Sequence, residues 1–336
     1  MTILAFGLII VVHELGHFLG ARAAGVRVEE FAIGFGPPLL RWRSPKTLYS
    51  LRLLVILGGY VRMAGMDAAS KDPADRGAFY NKTVRQRALV FAAGPAMNFI
   101  LAVILFFVVF GVVGVAGPTL EVAEVRTGYP AATAGIRPGD EVLAVDGRPV
   151  ADWAALVAAI QGRAGQEVRL LVARGAERLH FEVVPIAEGG RGLIGIVPAS
   201  AVATYPPLTA LGRGFGETFA FTVAWIRGLA LIIAGRGAAD VTGPVGIARM
   251  LGQAASVGAS NFLFLLALVS VNIGLANLLP IPVLDGSRLV FLGVEAVRGR
   301  PIDPRRENLV HLMGFMFLMA LFVILTYRDL LQLLRG

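Results

Sequence analysis

The 336-residue chain contains no cysteine. That excludes a disulfide framework, a thiolate metal site and a cysteine nucleophile, and it leaves the redox compartment unread. Charge is sparse as well. Charged residues make up 16% of the chain against 56% hydrophobic, and mean hydropathy is +0.71. A soluble domain carries about 25% charged residues, so this is membrane-protein composition. Cations are missing from the extreme N-terminus, where the first is Arg22. A secretory signal would need a basic n-region, so residues 1–21 read as a retained transmembrane helix. The net charge of +8 does not indicate nucleic acid, because the chain has neither a compact basic domain nor aromatic–basic interleaving.

What the chain does have is long apolar runs. A helix needs about 20 residues to cross lipid. Residues 1–21, 89–116, 262–284 and 309–327 meet that length, with Asn98, Asn272 and Asn277 as isolated polar side chains inside them. A fifth run, 208–234, holds Arg213, Glu217 and Arg227 and reads as an amphipathic helix on the membrane surface. Between the first two spans, residues 22–87 carry twelve Lys/Arg against five Asp/Glu, and 288–306 carry five arginines against two acids. The positive-inside rule makes both segments cytoplasmic. Residues 118–200 carry eight arginines against ten acids, which fits the opposite side. The basic balance is therefore a topology signal.

Within 22–87, Val26–Phe35 and Leu48–Met63 read as strands, with turns at Gly36-Pro37-Pro38 and Gly58-Gly59. Residues 118–200 read as a soluble insert of short strands around one helix, 152–161, capped by Asp152, with a tight turn at Asp146-Gly147.

The chemistry is concentrated in Val12-His13-Glu14-Leu15-Gly16-His17. His13 and His17, four apart on a helix, present both imidazoles on one face, where they can grip one metal ion. They are two of only four histidines in the chain. Glu14 lies beside them, placed to act as a base on water activated by that ion. Three ionisable groups in an apolar run are costly in lipid and mark a functional site. Gly16 and Gly20 form a GxxxG, the spacing of close helix contact. A catalytic zinc site takes three protein ligands, so a third is required at similar depth. Asp285 and His311 are the candidates. Asp285 closes Asn277-Leu-Leu-Pro280-Ile-Pro282-Val-Leu-Asp285-Gly286, where two prolines break the helix. Irregular backbone at membrane depth lines a cavity or is covered by protein.

The phrases Pro130-Ala-Ala-Thr-Ala-Gly135, Arg137-Pro-Gly-Asp-Glu-Val142 and Val145-Asp-Gly147 resemble a PDZ domain. By that likeness Gly192-Leu-Ile-Gly-Ile196 is its peptide-carboxylate loop. HExxH in the first span, NxxPxPxxLDG in a later one and the PDZ-like insert together resemble the site-2 protease family of intramembrane zinc metalloproteases, of the bacterial RseP/RasP type. The resemblance implies a polytopic α-helical membrane protein with four transmembrane helices, a membrane-associated β-sheet region and an inserted mixed α/β PDZ domain. Its layout is an N-terminal membrane part (1–117, with the cytoplasmic loop 22–87), the PDZ domain (118–200), a surface-helix linker (201–258) and a C-terminal membrane part (259–336). It implies one Zn2+ held by His13, His17 and Asp285, Glu14 as general base, and Asn277, Asn98, Gly58, Gly59 and Tyr60 at the substrate. It also implies cleavage of the transmembrane segments of single-span regulators, such as anti-sigma factors, or of remnant signal peptides. Peptide C-termini are expected at the PDZ domain, a lipid bilayer around the spans, and no nucleic acid. One departure is the single PDZ unit, where some relatives have two.

Orientation follows from charge. Arg22 and Arg27 come after the first span, so the N-terminus lies outside and HELGH in the cytoplasmic half of the inner membrane. Asp285 shares that depth only if its span also runs inward, which keeps 208–234 from crossing. The PDZ domain is then extracytoplasmic. Two rival readings use the same residues: a metal transporter, which needs further intramembrane acids along a path, and a non-catalytic PDZ scaffold, which needs neither Glu14 nor Asp285.

Overall fold

A computed structural model describes residues 2–66, 74–236, 242–300 and 302–335. Parts of two sequence-read segments, 67–73 of the cytoplasmic loop and 237–241 of the linker, lie outside the described residues. In chain order the elements are α1 (Thr2–Ala23), β1 (Val28–Arg43), β2 (Leu48–Met63), α2 (Val84–Val108, continued by a π turn to Val113), β3 (Val115–Val125), α3 (Pro130–Ala134), β4 (Glu141–Val145), β5 (Arg148–Pro149), α4 (Trp153–Gln161), β6 (Val168–Arg174) and β7 (Glu177–Val183). They continue as β8 (Ile186–Glu188), β9 (Arg191–Leu193), β10 (Ile196–Ala203), α5 (Pro207–Ile233), α6 (Pro244–Val257), α7 (Ala259–Leu278), α8 (Asp285–Arg298) and α9 (Pro304–Arg335). The chain divides into two compact units, 114–204 and the remainder.

In the larger unit α2 is the wall that the other helices share. Its start is fixed by a capping box, Thr83 with Gln86. α1 crosses it closely because two glycines remove the side chains from the seam: a Cβ on Gly16 would overlap the Ala93 carbonyl, and one on Gly20 would come 2.8 Å from Ala93 Cβ. The GxxxG is therefore a packing device. α7 runs antiparallel to α2. Phe264 meets Phe106, Ser270 Oγ donates to Asn98 O at 2.8 Å, and Gly274 faces Asn98. The C-terminal end of α2 and the start of α7 thus lie at the same end of the bundle. Ala21, Val26, Val28, Met63, Val90, Phe91 and Leu292 form one buried cluster that joins α1, both strands, α2 and α8.

Five helices among the described residues are long and apolar enough to cross a membrane, and α5 is one of them. The sequence reading of four spans with 208–234 on the surface differs from this at α5. That helix packs along α2 and α7: Gly214 faces the Val103 carbonyl, and Trp225 Nε1 donates to Asn272 Oδ1 at 2.8 Å. Arg213, one of its three charges, stacks over Tyr205 at 3.9 Å.

β1 and β2 pair antiparallel, each 16 residues long. The strand expected to end at Phe35 runs on to Arg43, because Gly34 and Gly36, at φ 90° and 82°, bend it instead of ending it. Ala32 consequently sits opposite both Ser50 and Tyr60. Glu30, 2% exposed, locks this sheet by accepting from Ser50 Oγ and Arg52 Nη2, both at 2.8 Å.

In the smaller unit, β10-β3-β4-β6-β7 form one sheet, with β5 paired to β4. Asp146 and Gly147, at φ 48° and 77°, make the tight turn between β4 and β5. Asp152 caps α4 by accepting from Ala155 N at 2.8 Å. Asp140, 1% exposed, accepts from Arg174 Nε at 2.8 Å and from Arg137 N at 2.8 Å. The Arg174 bond, against the opposing effect of burial, holds its carboxyl below the ordinary range.

Two outcomes are expected. Gly16→Ala forces α1 off α2 and should destabilise the membrane unit by about 1–3 kcal/mol, the usual overpacking cost; an unchanged thermal midpoint in detergent would contradict the seam. Asp140→Asn should weaken 114–204 by about 1.5–3 kcal/mol at neutral pH, read as faster amide hydrogen exchange there. A carboxyl with a depressed folded pKa stabilises above its unfolded value and loses that contribution as pH falls through the folded one. The gap between wild type and variant should therefore begin to close below about pH 4 and vanish only below the depressed folded value.

Candidate metal centre

Helical spacing in α1 sets His13 and His17 one turn apart with their rings edge to face, centroids 4.8 Å apart. Each ring is then fixed from behind by α2. His17 Nδ1 donates to the Val90 carbonyl at 2.9 Å, which leaves the Nε2 lone pair free. The ring fits only because residue 94 is glycine, since a Cβ there would overlap the imidazole. His13 Nδ1 lies 3.2 Å from the Asn98 amide nitrogen, and Asn98 is fully buried.

The third group arrives from the α7–α8 connection. Pro280 and Pro282 cannot donate backbone hydrogen bonds, and α7 stops at Leu278. Val283 takes φ +82°, and α8 then begins with Asp285 in its first turn. A carboxylate there is favoured by the positive end of the helix dipole. Asp285 Oδ2 lies 3.2 Å from His13 Nε2 and 3.2 Å from His17 Nε2, and the two Nε2 atoms are 3.2 Å apart. Among the described residues, these three form the cluster of metal-ligating groups.

Two observations show that zinc fits. Ligands placed at about 2.0–2.1 Å from a tetrahedral ion stand roughly 3.3 Å apart, close to the triangle seen. Asn98 Oδ1 is buried without a hydrogen-bond partner. When His13 Nε2 faces a metal, Nδ1 carries the proton, and a half-turn of the amide brings that orphaned oxygen to accept it.

A cavity of 640 Å³ opens on the triangle and is lined by Glu14, Gly58, Gly59, Tyr60 and Asn277 among others. A Cβ on Gly59 would come 2.9 Å from Glu14 Cγ and 2.8 Å from the Ala32 carbonyl, so the bare strand lies flush against the carboxylate side chain. Asn277 Nδ2 donates to Ile273 O at 3.0 Å within α7. Asn98, expected at the substrate, does not line that cavity: it is fully buried, with its amide nitrogen 3.2 Å from His13 Nδ1. His311, the other candidate ligand, stands apart from the triangle and accepts from Val283 N at 2.9 Å.

Sequence reasoning passed over three further residues. Arg288 lines the cavity and stacks over Phe91 at 5.1 Å. Its signal was its place one turn after Asp285. Arg87 clamps Glu295 through two bonds, of 3.0 and 2.5 Å, and so ties α2 to α8. That pair is 208 positions apart, beyond any local pattern.

A helical histidine pair, a distant carboxylate and an adjacent glutamate form a candidate metal centre of the class metallopeptidases use, set here among helices apolar enough to lie in a membrane. Residues 1–321 match the model of peptidase family M50. The chain belongs to that family, the site-2 proteases, and is a zinc metalloprotease integral to a membrane. It is 30% identical to the regulator of sigma-W protease RasP of Bacillus subtilis, over 98% of this chain and 97% of that one. The zinc metalloprotease RasP of Geobacillus kaustophilus is also 30% identical, over 98% and 96%. Among solved structures, the PDZ domain of an SdrC-like protein from Listeria monocytogenes is 22% identical, covers 25% of this chain and 92% of its own, and has a TM-score of 0.23.

Gly94→Ala should displace the His17 ring and weaken zinc about 10–100-fold, as loss of ligand support generally does. Chelator competition measures this, and unchanged affinity would remove Gly94 from the cradle.

Proposed function

We propose that the protein cleaves transmembrane segments of single-span membrane proteins within the membrane. Anti-sigma-factor-like regulators and remnant signal peptides are the substrate classes. The observation that carries this reading is the 3.2 Å convergence of His13, His17 and Asp285 beside Glu14, inside a bundle of membrane-length helices. A transporter or a scaffold has no use for a base at that point. The name of the Bacillus subtilis relative, a regulator of sigma-W, supports the regulatory substrate class.

His13, His17 and Asp285 would hold one zinc ion. When bound, the ion supplies Lewis acidity, which acidifies a water and polarises the scissile carbonyl. Glu14 takes the proton of the attacking water and later delivers it to the leaving amine. Asn98 orients His13 and does not touch substrate. Asn277, released from Ile273 O, donates to the carbonyl oxygen as charge develops there. The scissile bonds of a helical substrate are hidden in internal hydrogen bonds, so the helix must first unwind. Strand addition along Gly58, Gly59 and Tyr60 pairs the freed backbone groups and brings them past Glu14.

The basic segments 22–87 and 288–306 put the site near the cytoplasmic side of the inner membrane. The antiparallel course of α1, α2 and α7 supports an inward α1, an outward α2 and an inward α7. The insert 118–200, read as a PDZ domain that binds peptide termini or screens substrates by size, is then extracytoplasmic. The stretch joining α2 to α7 begins and ends on that side, whichever way α5 lies.

Glu14→Gln should leave zinc bound and lower cleavage of a single-span reporter by about 100-fold or more, the usual contribution of a general base. Retained cleavage with zinc in place would sink the assignment.

A further inference from the structure

The turn that presents Asp285 does not hold itself in shape. Two of its residues, Pro280 and Pro282, lack a backbone N–H. Val283 sits at φ +82°, a left-handed backbone that a β-branched residue adopts only at an energetic cost. Such a conformation persists only where the surroundings impose it.

The imposing contact comes from α9. Val283 N donates to His311 Nδ1 at 2.9 Å across 28 residues of sequence. One turn further along, α9 presses on the same turn, and a Cβ on Gly314 would overlap Pro282. His311 is itself braced. Its ring stands edge to face on Phe291 of α8, centroids 5.6 Å apart. Accepting at Nδ1 leaves the proton on Nε2, which is buried and faces Glu307 Oε1 at 3.7 Å.

We propose that His311 is a positioning residue: it latches Val283 in the left-handed backbone that aims the Asp285 carboxylate at His13 and His17. It is not a ligand, since Val283 occupies its Nδ1 and its Nε2 is turned to Glu307. The last helix thereby closes the metal centre without giving it a donor atom. The inference rests on the proposed zinc site, so its test must separate the two.

Zinc affinity of the full-length protein in detergent is measured by chelator competition for wild type, D285N, H311L, H311N and the pair H311L/V283G, with thermal unfolding alongside. His311→Leu keeps bulk and removes the acceptor. It should weaken zinc about 10–100-fold, and cleavage should fall with it. His311→Asn places Oδ1 where Nδ1 stands and should recover most of the loss, which a packing role would not allow. Adding Val283→Gly should partly restore H311L, because glycine adopts a positive φ without strain. H311A carries the same expectation as H311L should leucine not fit. If H311L binds zinc like wild type, or H311N does no better than H311L, or V283G brings no recovery, the latch is wrong. If D285N binds zinc as tightly as wild type, the zinc site itself is wrong, and the latch falls with it.

Discussion

Everything in the larger unit answers to one constraint: a carboxylate and two imidazoles meet at 3.2 Å among apolar helices. In such a medium a lone charge is expensive, and removing one member of a compensated set leaves the others uncompensated. A divalent cation resolves the problem only if the three donors stay at tetrahedral spacing. The rigid features around them serve that requirement. The Val90 carbonyl sets one ring, Asn98 sets the other, and the glycine at position 94 leaves room for the first ring.

That makes α2 more than a span. It touches the histidine helix through Ala93, the α7 helix through Asn98, and the carboxylate helix through the Arg87–Glu295 clamp. The histidine pair and Asp285 lie about 270 positions apart in sequence, yet both are referenced to this one helix. The capping box at its start and the π turn at its far end delimit the segment.

Legibility in the sequence followed the range of the interaction. HELGH was readable because helical spacing alone puts its histidines together. The prolines before Asp285 announced a break, and the family likeness joined that carboxylate to the histidines. Asn98 was legible as a buried polar residue but not as a support for His13, because 85 positions separate them. The bend of β1 was misread because Gly36-Pro37-Pro38 has the chemistry of a turn; here the partner strand continues past it, and tertiary pairing wins. α5 mixed three charges with a long apolar face, and packing against α2 and α7 could not be seen from composition. Val283 gave no signal at all, since a β-branched residue is a poor guess for a positive φ.

The glycine seams bear on traffic. At Gly16 backbone lies almost on the backbone of Ala93, and at Gly274 the Asn98 Cβ, the Phe99 ring and the Pro95 carbonyl already fill the space a side chain would need. Neither seam, α1 on α2 or α2 on α7, leaves room for a further side chain to enter. The cavity at Glu14 opens instead on the flank where α1 faces the strands and the α7–α8 turn. That flank is built from the bent sheet and a proline-broken connection, the parts of the larger unit whose backbone departs most from regular helix.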